Sequence, residues 1–265
     1  MSASGLTLKV LGTRGSMAVH GRMYSVFGGA TSCYLVRAGE DTVILDAGSG
    51  LLNAPVDTPR PPVILISHLH LDHLLGLGMY PRLSKKGAET EIYVPAADSR
   101  EASESLNSLY SPPLWPVRLD QYAGTVRIKP LMFPIMVGEI RVDGVMGCHP
   151  GGCAVMRLSY GGRSIVYLTD YEHEEASFDK MTDFARGADL ILYDGQYTEE
   201  EYEQKKGFGH STPEKGLELL ERSEAGRLLI VHHDPQNGDE ELLKREQLLN
   251  RKDVSYARQG EEIYI

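Results

Sequence analysis

Residues 67–73, which read SHLHLDH, constrain this chain more than any other segment. They follow the apolar run Val63–Ile66, which predicts a buried β-strand. Four side chains that can bind metal ions lie within the motif: His68, His70, Asp72 and His73. At a strand end alternate side chains can converge, so the first two histidines can bind one ion while the aspartate and the last histidine turn toward a second. The motif therefore predicts a metal centre.

Short apolar runs bounded by Gly, Pro or polar residues recur along the chain and predict strands at Leu6–Leu11, Cys33–Arg37, Val43–Leu45, Val63–Ile66, Glu91–Val94, Thr125–Ile128, Ile140–Met146, Ala154–Tyr160, Ser164–Leu168, Leu190–Tyr193 and Leu228–Val231. Apolar residues at helical spacing predict helices at Leu74–Lys85, Asp98–Leu109, Glu174–Arg186, Thr212–Ser223 and Glu240–Asn250. The order of elements favours an α/β protein with two packed sheets and helices outside them. Because no linker or repeat is recognisable, we expect residues 1–265 to form one domain.

The formal net charge of -10 argues against a protein that coats nucleic acid through a broad basic surface. It leaves a phosphate substrate open, since bound metal ions would supply positive potential locally. The three cysteines cannot all pair and have no zinc-finger spacing, which favours a reducing compartment. With no signal-peptide pattern and no apolar run long enough to span a bilayer, we expect a cytoplasmic protein without membrane contact.

The segment Tyr110–Pro116, YSPPLWP, cannot continue the preceding helix because of its prolines. Two interpretations remain open from the sequence. The segment is either a stiff lid over a pocket or a surface loop whose Trp115 tucks into the core.

The motif at residues 67–73 matches in full the HxHxDH pattern of the metallo-β-lactamase superfamily, which the chain resembles. LGTRGS at 11–16, GGATSCYLV at 28–36 and LDAGSGL at 45–51 resemble the opening strands of its phosphodiesterase and ribonuclease Z branch. The resemblance implies an αββα sandwich of two mixed β-sheets with helices on the outer faces. Later family motifs supply one His, one Asp and one His, whose counterparts here are His149, Asp170 and His232.

Carried over by residue, the resemblance implies one ion on His68, His70 and His149, a second on Asp72, His73 and His232, and Asp170 as the bridge. A hydroxide between the ions would be the nucleophile, since two dications lower the pKa of a bridging water toward neutrality. Nitrogen and carboxylate ligands without thiolate suit zinc, manganese or iron, and we expect two zinc ions.

Three further residues, His233, Asp46 and His210, are assigned roles around this centre. His233 follows His232, and only one of the pair can face the metals if 228–231 is a strand; the family pattern favours His232, leaving His233 to support or pack, and the reverse stays open. Asp46 is predicted to orient a ligand histidine or the metal-binding loop through hydrogen bonds. His210, in an HxT-like motif, is predicted to be catalytic together with Asp72, as a proton donor or charge stabiliser that contacts Asp72 or a substrate oxygen.

The leading functional hypothesis is a metal-dependent phosphodiesterase acting on a cyclic nucleotide or another small phosphodiester. The chain has no long Gly- and basic-rich insertion like the arm with which ribonuclease Z grips tRNA, and its charge disfavours long nucleic acid. A tRNA 3′-processing endonuclease and a lactone or thioester hydrolase of the same fold are the alternatives, with a non-enzymatic metal-bound sensor behind them. The resemblance alone suggests a homodimer. His20 and His173 are predicted to be ordinary exposed residues.

Overall fold

The structure, a computed structural model, describes residues 5–265. Its strands form two seven-stranded sheets. The first sheet contains, in spatial order, β14 (Glu262–Tyr264), β1 (Thr7–Gly12), β2 (Cys33–Ala38), β3 (Asp41–Leu45), β4 (Val63–Leu65), β5 (Glu89–Val94) and β6 (Thr125–Pro130). Neighbours from β14 to β3 pair antiparallel, whereas those from β3 to β6 pair parallel. The sheet is therefore mixed.

The second sheet repeats this plan. It contains, in spatial order, β13 (Val254–Tyr256), β12 (Leu228–Val231), β11 (Leu190–Asp194), β10 (Arg163–Leu168), β9 (Cys153–Tyr160), β8 (Ile140–Gly147) and β7 (Ile135–Val137). Strands β7 to β10 pair antiparallel with their neighbours and β10 to β13 pair parallel. In both sheets the parallel strands end at a common edge, where loops can bring side chains together.

The two sheets pack face to face around an apolar layer that includes Leu8, Val36 and Val43 from the first sheet and Leu158 and Leu192 from the second. Burying each such side chain stabilises the fold by about 1.5–3 kcal/mol. Five helices in residues 5–265 complete the architecture: α1 (Ser99–Leu109), α2 (Glu175–Ala185), α3 (Glu199–Lys205), α4 (Pro213–Ser223) and α5 (Asp239–Leu249).

The outer faces of the sheets are covered by separate apolar clusters. Ala102 and Leu106 of α1 pack on the first sheet. On the second sheet lie Met181 of α2, Leu219 of α4 and Leu242 of α5. The layers are thus helix, sheet, sheet, helix, which confirms the predicted αββα sandwich.

Local sequence explains where the helices begin. Thr212 caps α4 by accepting a hydrogen bond from the amide of Lys215 at 3.3 Å, with Pro213 in the first turn. Asp98 caps α1 in the same way through the amide of Glu101.

The predicted helix Leu74–Lys85 is wrong. The structure has short 3₁₀ turns there, at Leu71–His73, Leu77–Met79 and Pro81–Ser84. Gly76 lies so close to the strand-end loop that a Cβ atom on it would be 2.1 Å from the carbonyl oxygen of Gly48. The sequence reading also missed the short strands β7, β13 and β14 and the helix α3.

For residues 110–116 the structure has the tucked arrangement and not a lid. The ring of Trp115 packs edge-on against Tyr110, with centroids 5.4 Å apart, and its Nε1 donates to the hydroxyl of Tyr122 at 2.8 Å. Tyr110 is buried and donates to the carbonyl of Leu74. Within residues 5–265, every helix is too short or too polar to cross a bilayer.

Candidate metal centre

Residues at the ends of the parallel strands supply the site. His68 follows β4, Asp170 follows β10 and His232 follows β12. His149 comes two residues after β8, in a tight turn closed by a hydrogen bond from the amide of Gly152 to its carbonyl. The first sheet thus provides one half of the site and the second sheet the other half.

A first group of potential ligands consists of His68, His70 and His149, whose nearest ring nitrogens all lie within 4.8 Å of one another. Nε2 of His149 is 3.0 Å from Nδ1 of His70. Nδ1 of His149 donates to the carbonyl oxygen of Gly209 at 2.8 Å, so its Nε2 carries no proton in the neutral ring and can bind a cation.

A second group consists of Asp72, His73, Asp170 and His232. Asp170 lies between the two groups: its Oδ2 is 3.1 Å from Nε2 of His73 and its Oδ1 is 3.2 Å from Nε2 of His232. The same Oδ1 is 3.8 Å from Nε2 of His68 and 3.9 Å from Nε2 of His149. The structure therefore brings together all seven predicted ligands, with Asp170 where a bridging carboxylate would lie.

Two ring nitrogens indicate that the residues fit metal ions. Nε2 of His68 and Nε2 of His73 are buried and make no hydrogen bond within residues 5–265. Nε2 of His73 is 3.1 Å from Oδ2 of Asp170, but the geometry is not that of a hydrogen bond. Leaving a buried polar atom unpaired costs about 1–3 kcal/mol, which a bound cation would offset. Because both atoms face carboxylate and imidazole groups, the donor set suits divalent cations.

The electrostatics of the centre favour positive charge. Burial disfavours the charged form of Asp170, but His232 and His73 outweigh it and hold the pKa of Asp170 well below its usual range. Burial lowers the pKa of His73, yet Asp170 and nearby carboxylates raise it well above the ordinary value. The same balance raises the pKa of His232 to about 9. Protons and metal ions therefore compete for these rings.

Asp46, predicted to orient a ligand, lies beneath the second group. Its Oδ2 accepts hydrogen bonds from Nδ1 of His73 at 2.7 Å and from the hydroxyl of Tyr167 at 2.6 Å. Its two oxygens also accept from the amide and hydroxyl of Ser67. The sequence reading missed Tyr167, which reaches across from the second sheet.

His232, not His233, faces the centre. Nδ1 of His232 is bonded to Oε1 of Gln196 at 2.8 Å. His233 turns the other way: its Nε2 donates to the carbonyl of Ala257, and its ring packs near Phe27 and Tyr256.

The prediction that His233 supports the ligands is therefore wrong. Within residues 5–265 the side chain of His233 hydrogen-bonds to none of the proposed ligands, and its role is packing. The two neighbours separate because His232 adopts a left-handed backbone, with φ of 60°, as the strand ends.

His210 lies beside the second group, but of its two predicted contacts, Asp72 and a substrate oxygen, it does not hydrogen-bond to Asp72. Its Nδ1 donates to Oδ2 of Asp194 at 2.8 Å, and its ring stacks on His232 with centroids 4.8 Å apart. Asp72 instead accepts from the amide of Ser16 at 2.7 Å. The sequence reading missed Asp194, although its position as the last residue of the apolar strand β11 resembles that of Asp170 after β10.

Asp194 and His210 also form, with Asp170 and His232, a third group whose atoms could hold an ion. Of the remaining histidines, His20 is exposed as predicted, whereas the prediction for His173 is wrong. His173 is half-buried and shares a 2.7 Å hydrogen bond with the hydroxyl of Ser211, and burial, aided by Lys215, lowers its pKa to about 4.

Known proteins resemble this chain in sequence and in fold. The probable metallo-hydrolase YhfI of Bacillus subtilis is 22% identical over 239 residues, covering 87% of this chain and 91% of the relative. Ribonuclease Z of Pyrococcus furiosus is 25% identical over 251 residues, covering 76% of this chain and 80% of that protein.

Among solved structures, the metallo-beta-lactamase fold protein YhfI superposes with a TM-score of 0.74 at 20% identity, covering 99% of this chain and 100% of that one. A diphosphatase from the PhnP family has a TM-score of 0.72 at 19% identity, covering 97% of each chain. A family model described as the beta-lactamase superfamily domain matches residues 41–233, well over half of the chain. The resemblance inferred from the motifs is confirmed, and the chain belongs to the beta-lactamase superfamily.

Proposed function

We propose that this protein is a dinuclear metal-dependent hydrolase that cleaves a small phosphodiester, such as a cyclic nucleotide. The observation that carries the proposal is the pair of adjacent ligand groups with the carboxylate of Asp170 lying between them. One ion would be held by His68, His70 and His149 and the other by Asp72, His73 and His232. Zinc is the metal we propose for both positions.

The ions would supply Lewis acidity, which lowers the pKa of water and neutralises charge on an attacked phosphoryl group. The chain itself would supply proton transfer. Because Asp194 accepts from Nδ1 of His210, the opposite nitrogen, Nε2, is left to serve the substrate. The role that we assign to His210 is to donate a proton from Nε2 to the leaving oxygen, which requires the imidazolium form, with a proton on each ring nitrogen.

The charge around the centre favours a small substrate over a long RNA. Arg14 is the only Lys or Arg within the segments that carry the site: 11–17, 66–75, 146–153, 168–173, 194–198, 209–213 and 230–235. Arg14 is fully buried and donates to backbone carbonyls, among them that of Gly28 at 2.8 Å. A polyanion needs a track of exposed cations, which these segments lack. Beside them, Lys205 lies over the ring of Tyr197, which packs against His210, but its Nζ is 3.6 Å from Oδ2 of Asp234.

Two alternatives have some support. The similarity to ribonuclease Z favours RNA cleavage as the second candidate. Acyl hydrolysis of a lactone or thioester would use the same ions, but the structural likeness to a diphosphatase favours reaction at phosphorus.

The test combines metal analysis with hydrolysis assays. We expect about two ions per chain and cleavage of bis(p-nitrophenyl) phosphate and of one or more cyclic nucleotides. Asp170→Ala should lose at least about 100-fold in diesterase activity, since even residues that only support a ligand can cost that much. Asp183→Ala, which removes an exposed carboxylate of α2, is the matched control. Absence of bound metal would overturn the proposal, and bound metal with esterase but no diesterase activity would replace it with acyl hydrolysis.

A further inference from the structure

Glu172 is a buried carboxylate, two residues after Asp170, with hydrogen bonds on both oxygens. Oε1 accepts from the amide of Gly207 at 2.7 Å and from the hydroxyl of Tyr202 at 3.2 Å. Oε2 accepts from the amide of Gly209 at 2.9 Å. These donors lie on α3 and on the loop that follows it, so Glu172 fastens this loop to the segment after β10.

The fastened loop touches the first ligand group directly. The carbonyl of Gly209 accepts the hydrogen bond from Nδ1 of His149. A Cβ atom on Gly209 would lie 2.0 Å from the same nitrogen, so backbone and ring are in close contact. The next residue is His210, which the loop carries to its position beside Asp194. A shift of the loop would therefore move both histidines.

Two other ligand histidines, His73 and His232, are oriented without such an intermediary. Asp46 bonds His73 side chain to side chain, and Gln196 bonds His232 in the same way. His149 depends on a carbonyl within a segment where Gly207 and Gly209 both have φ of +89°, a conformation that glycine adopts without strain but does not enforce. Something outside the loop must fix that carbonyl.

We propose that Glu172 is a positioning residue: by clamping the loop 207–209 it directs Nε2 of His149 toward the first ion. The inference rests on the proposed metal centre, in which His149 is a ligand. Glu172 itself contacts none of the atoms that would hold the ions. Substitution of Glu172 should lower the binding affinity of one of the two ions selectively. General destabilisation of the fold would lower both affinities.

The first experiment is metal titration of Glu172→Gln. The new amide must place an N–H group against an amide donor of the loop, so at least one hydrogen bond is lost in a side chain of equal size. We expect the affinity of the first ion to fall about 10- to 100-fold, the range for groups that orient metal ligands, with the second ion nearly unchanged. Glu203→Gln, on the exposed face of α3, should leave both affinities as in the wild type.

A double-mutant cycle separates this role from a general loss of structure. If Glu172 acts through His149, Glu172→Gln should add nothing further to the first-ion affinity in a His149→Ala background. An additive loss in the double variant, or an equal loss at both ions in the single variant, would overturn the inference.

Amide hydrogen exchange of the metal-free protein gives a readout that needs no ion. The amides of Gly207 and Gly209 should exchange at least about 10-fold faster in Glu172→Gln than in Glu203→Gln, while amides of β10 stay protected. Unchanged exchange refutes the clamp. If the wild type binds no metal, the proposed function fails; if it binds two ions and Glu172→Gln binds them equally well, only the present inference fails.

Discussion

The pair formed by His210 and Asp194 illustrates how single residues set the chemistry of the centre. Asp194 is fully buried, and its second oxygen accepts from the amide of Gln196 at 3.0 Å. Gln196 in turn bonds His232, so one short segment after β11 orients both a proposed ligand and the proposed proton donor. Displacing this segment would therefore move both the proposed proton donor and the ligand His232.

Variants of this pair should distinguish proton donation from metal binding. His210→Ala should lower turnover of an alkyl phosphodiester about 100-fold or more, the usual contribution of a general acid, and Asp194→Asn should cause a smaller loss of the same kind. Turnover of a p-nitrophenyl phosphodiester should fall much less, because its leaving group departs without needing a proton. Metal content should stay at the wild-type level.

Asp183→Asn, an exposed change on α2, is the control for this comparison. Equal losses on both esters would contradict proton donation. A fall in metal content would instead identify Asp194 and His210 as ligands within the third group described above.

At the scale of elements, the strand ends and the loop 207–209 position the proposed ligands. Asp46, Asp170 and His232 each follow a strand with a left-handed backbone, at φ of 58°, 48° and 60°. This conformation costs about 1–2 kcal/mol for a residue other than glycine, and its repeated use at one site is typical of a functional centre. The loop 207–209 uses glycines for the same kind of turn.

Two alanine substitutions in this loop should have different effects on metal binding. Gly207 and Gly209 share φ of +89°, so both variants incur similar backbone strain. A Cβ atom on Gly209 would collide with His149, whereas one on Gly207 meets nothing within 4 Å. We expect Gly209→Ala to lose the first ion in a metal titration, at least about 10-fold in affinity, and Gly207→Ala to retain it. Similar metal affinities in the two variants would mean that backbone strain, and not the collision with His149, determines the loss of affinity.

The sequence predicted the longer strands well because their apolar runs and boundaries are local signals, as in Ser164–Leu168. The helix predicted at 74–85 fails because Pro81 disfavours the helical conformation at the residue before it, and Tyr80 is extended, with ψ of 114°. Gly76 also packs closely against the loop at Gly48. Four of the seven proposed ligands lie in one contiguous motif, and His149, Asp170 and His232 were assigned through the resemblance to the superfamily. Asp194 and Glu172, in contrast, acquire meaning only from partners on other elements.

At the scale of the whole molecule, the buried His233 affects how the stability of the fold depends on pH. His233 is enclosed by both sheets' loops, and burial, with Arg14 nearby, lowers its pKa to about 3. A histidine with a lowered folded-state pKa stabilises the fold fully above its unfolded-state pKa of about 6.5, and that contribution is lost as the pH falls toward 3.

The pH dependence of unfolding should therefore change in His233→Gln. Glutamine can still donate to the carbonyl of Ala257 but takes up no proton. Between pH 6.5 and 5 the free energy of unfolding of the metal-free wild type should decrease with a slope steeper by up to ~1.4 kcal/mol per pH unit than that of the variant. Denaturant titrations at several pH values measure this slope, with exposed His20→Gln as the control. Parallel slopes for all three proteins would show that His233 does not titrate in this window.

The bond from Tyr167 to Asp46 has a consequence for the assembly of the whole chain. Tyr167 lies in β10 of the second sheet, and Asp46 hydrogen-bonds to His73, which follows β4 of the first sheet. The ligands are likewise divided, with 68–73 after β4 of one sheet and His149, Asp170 and His232 after strands of the other. Bound ions would act as cross-links between the two halves of the sandwich, so that capturing metal and docking the sheets become one cooperative event.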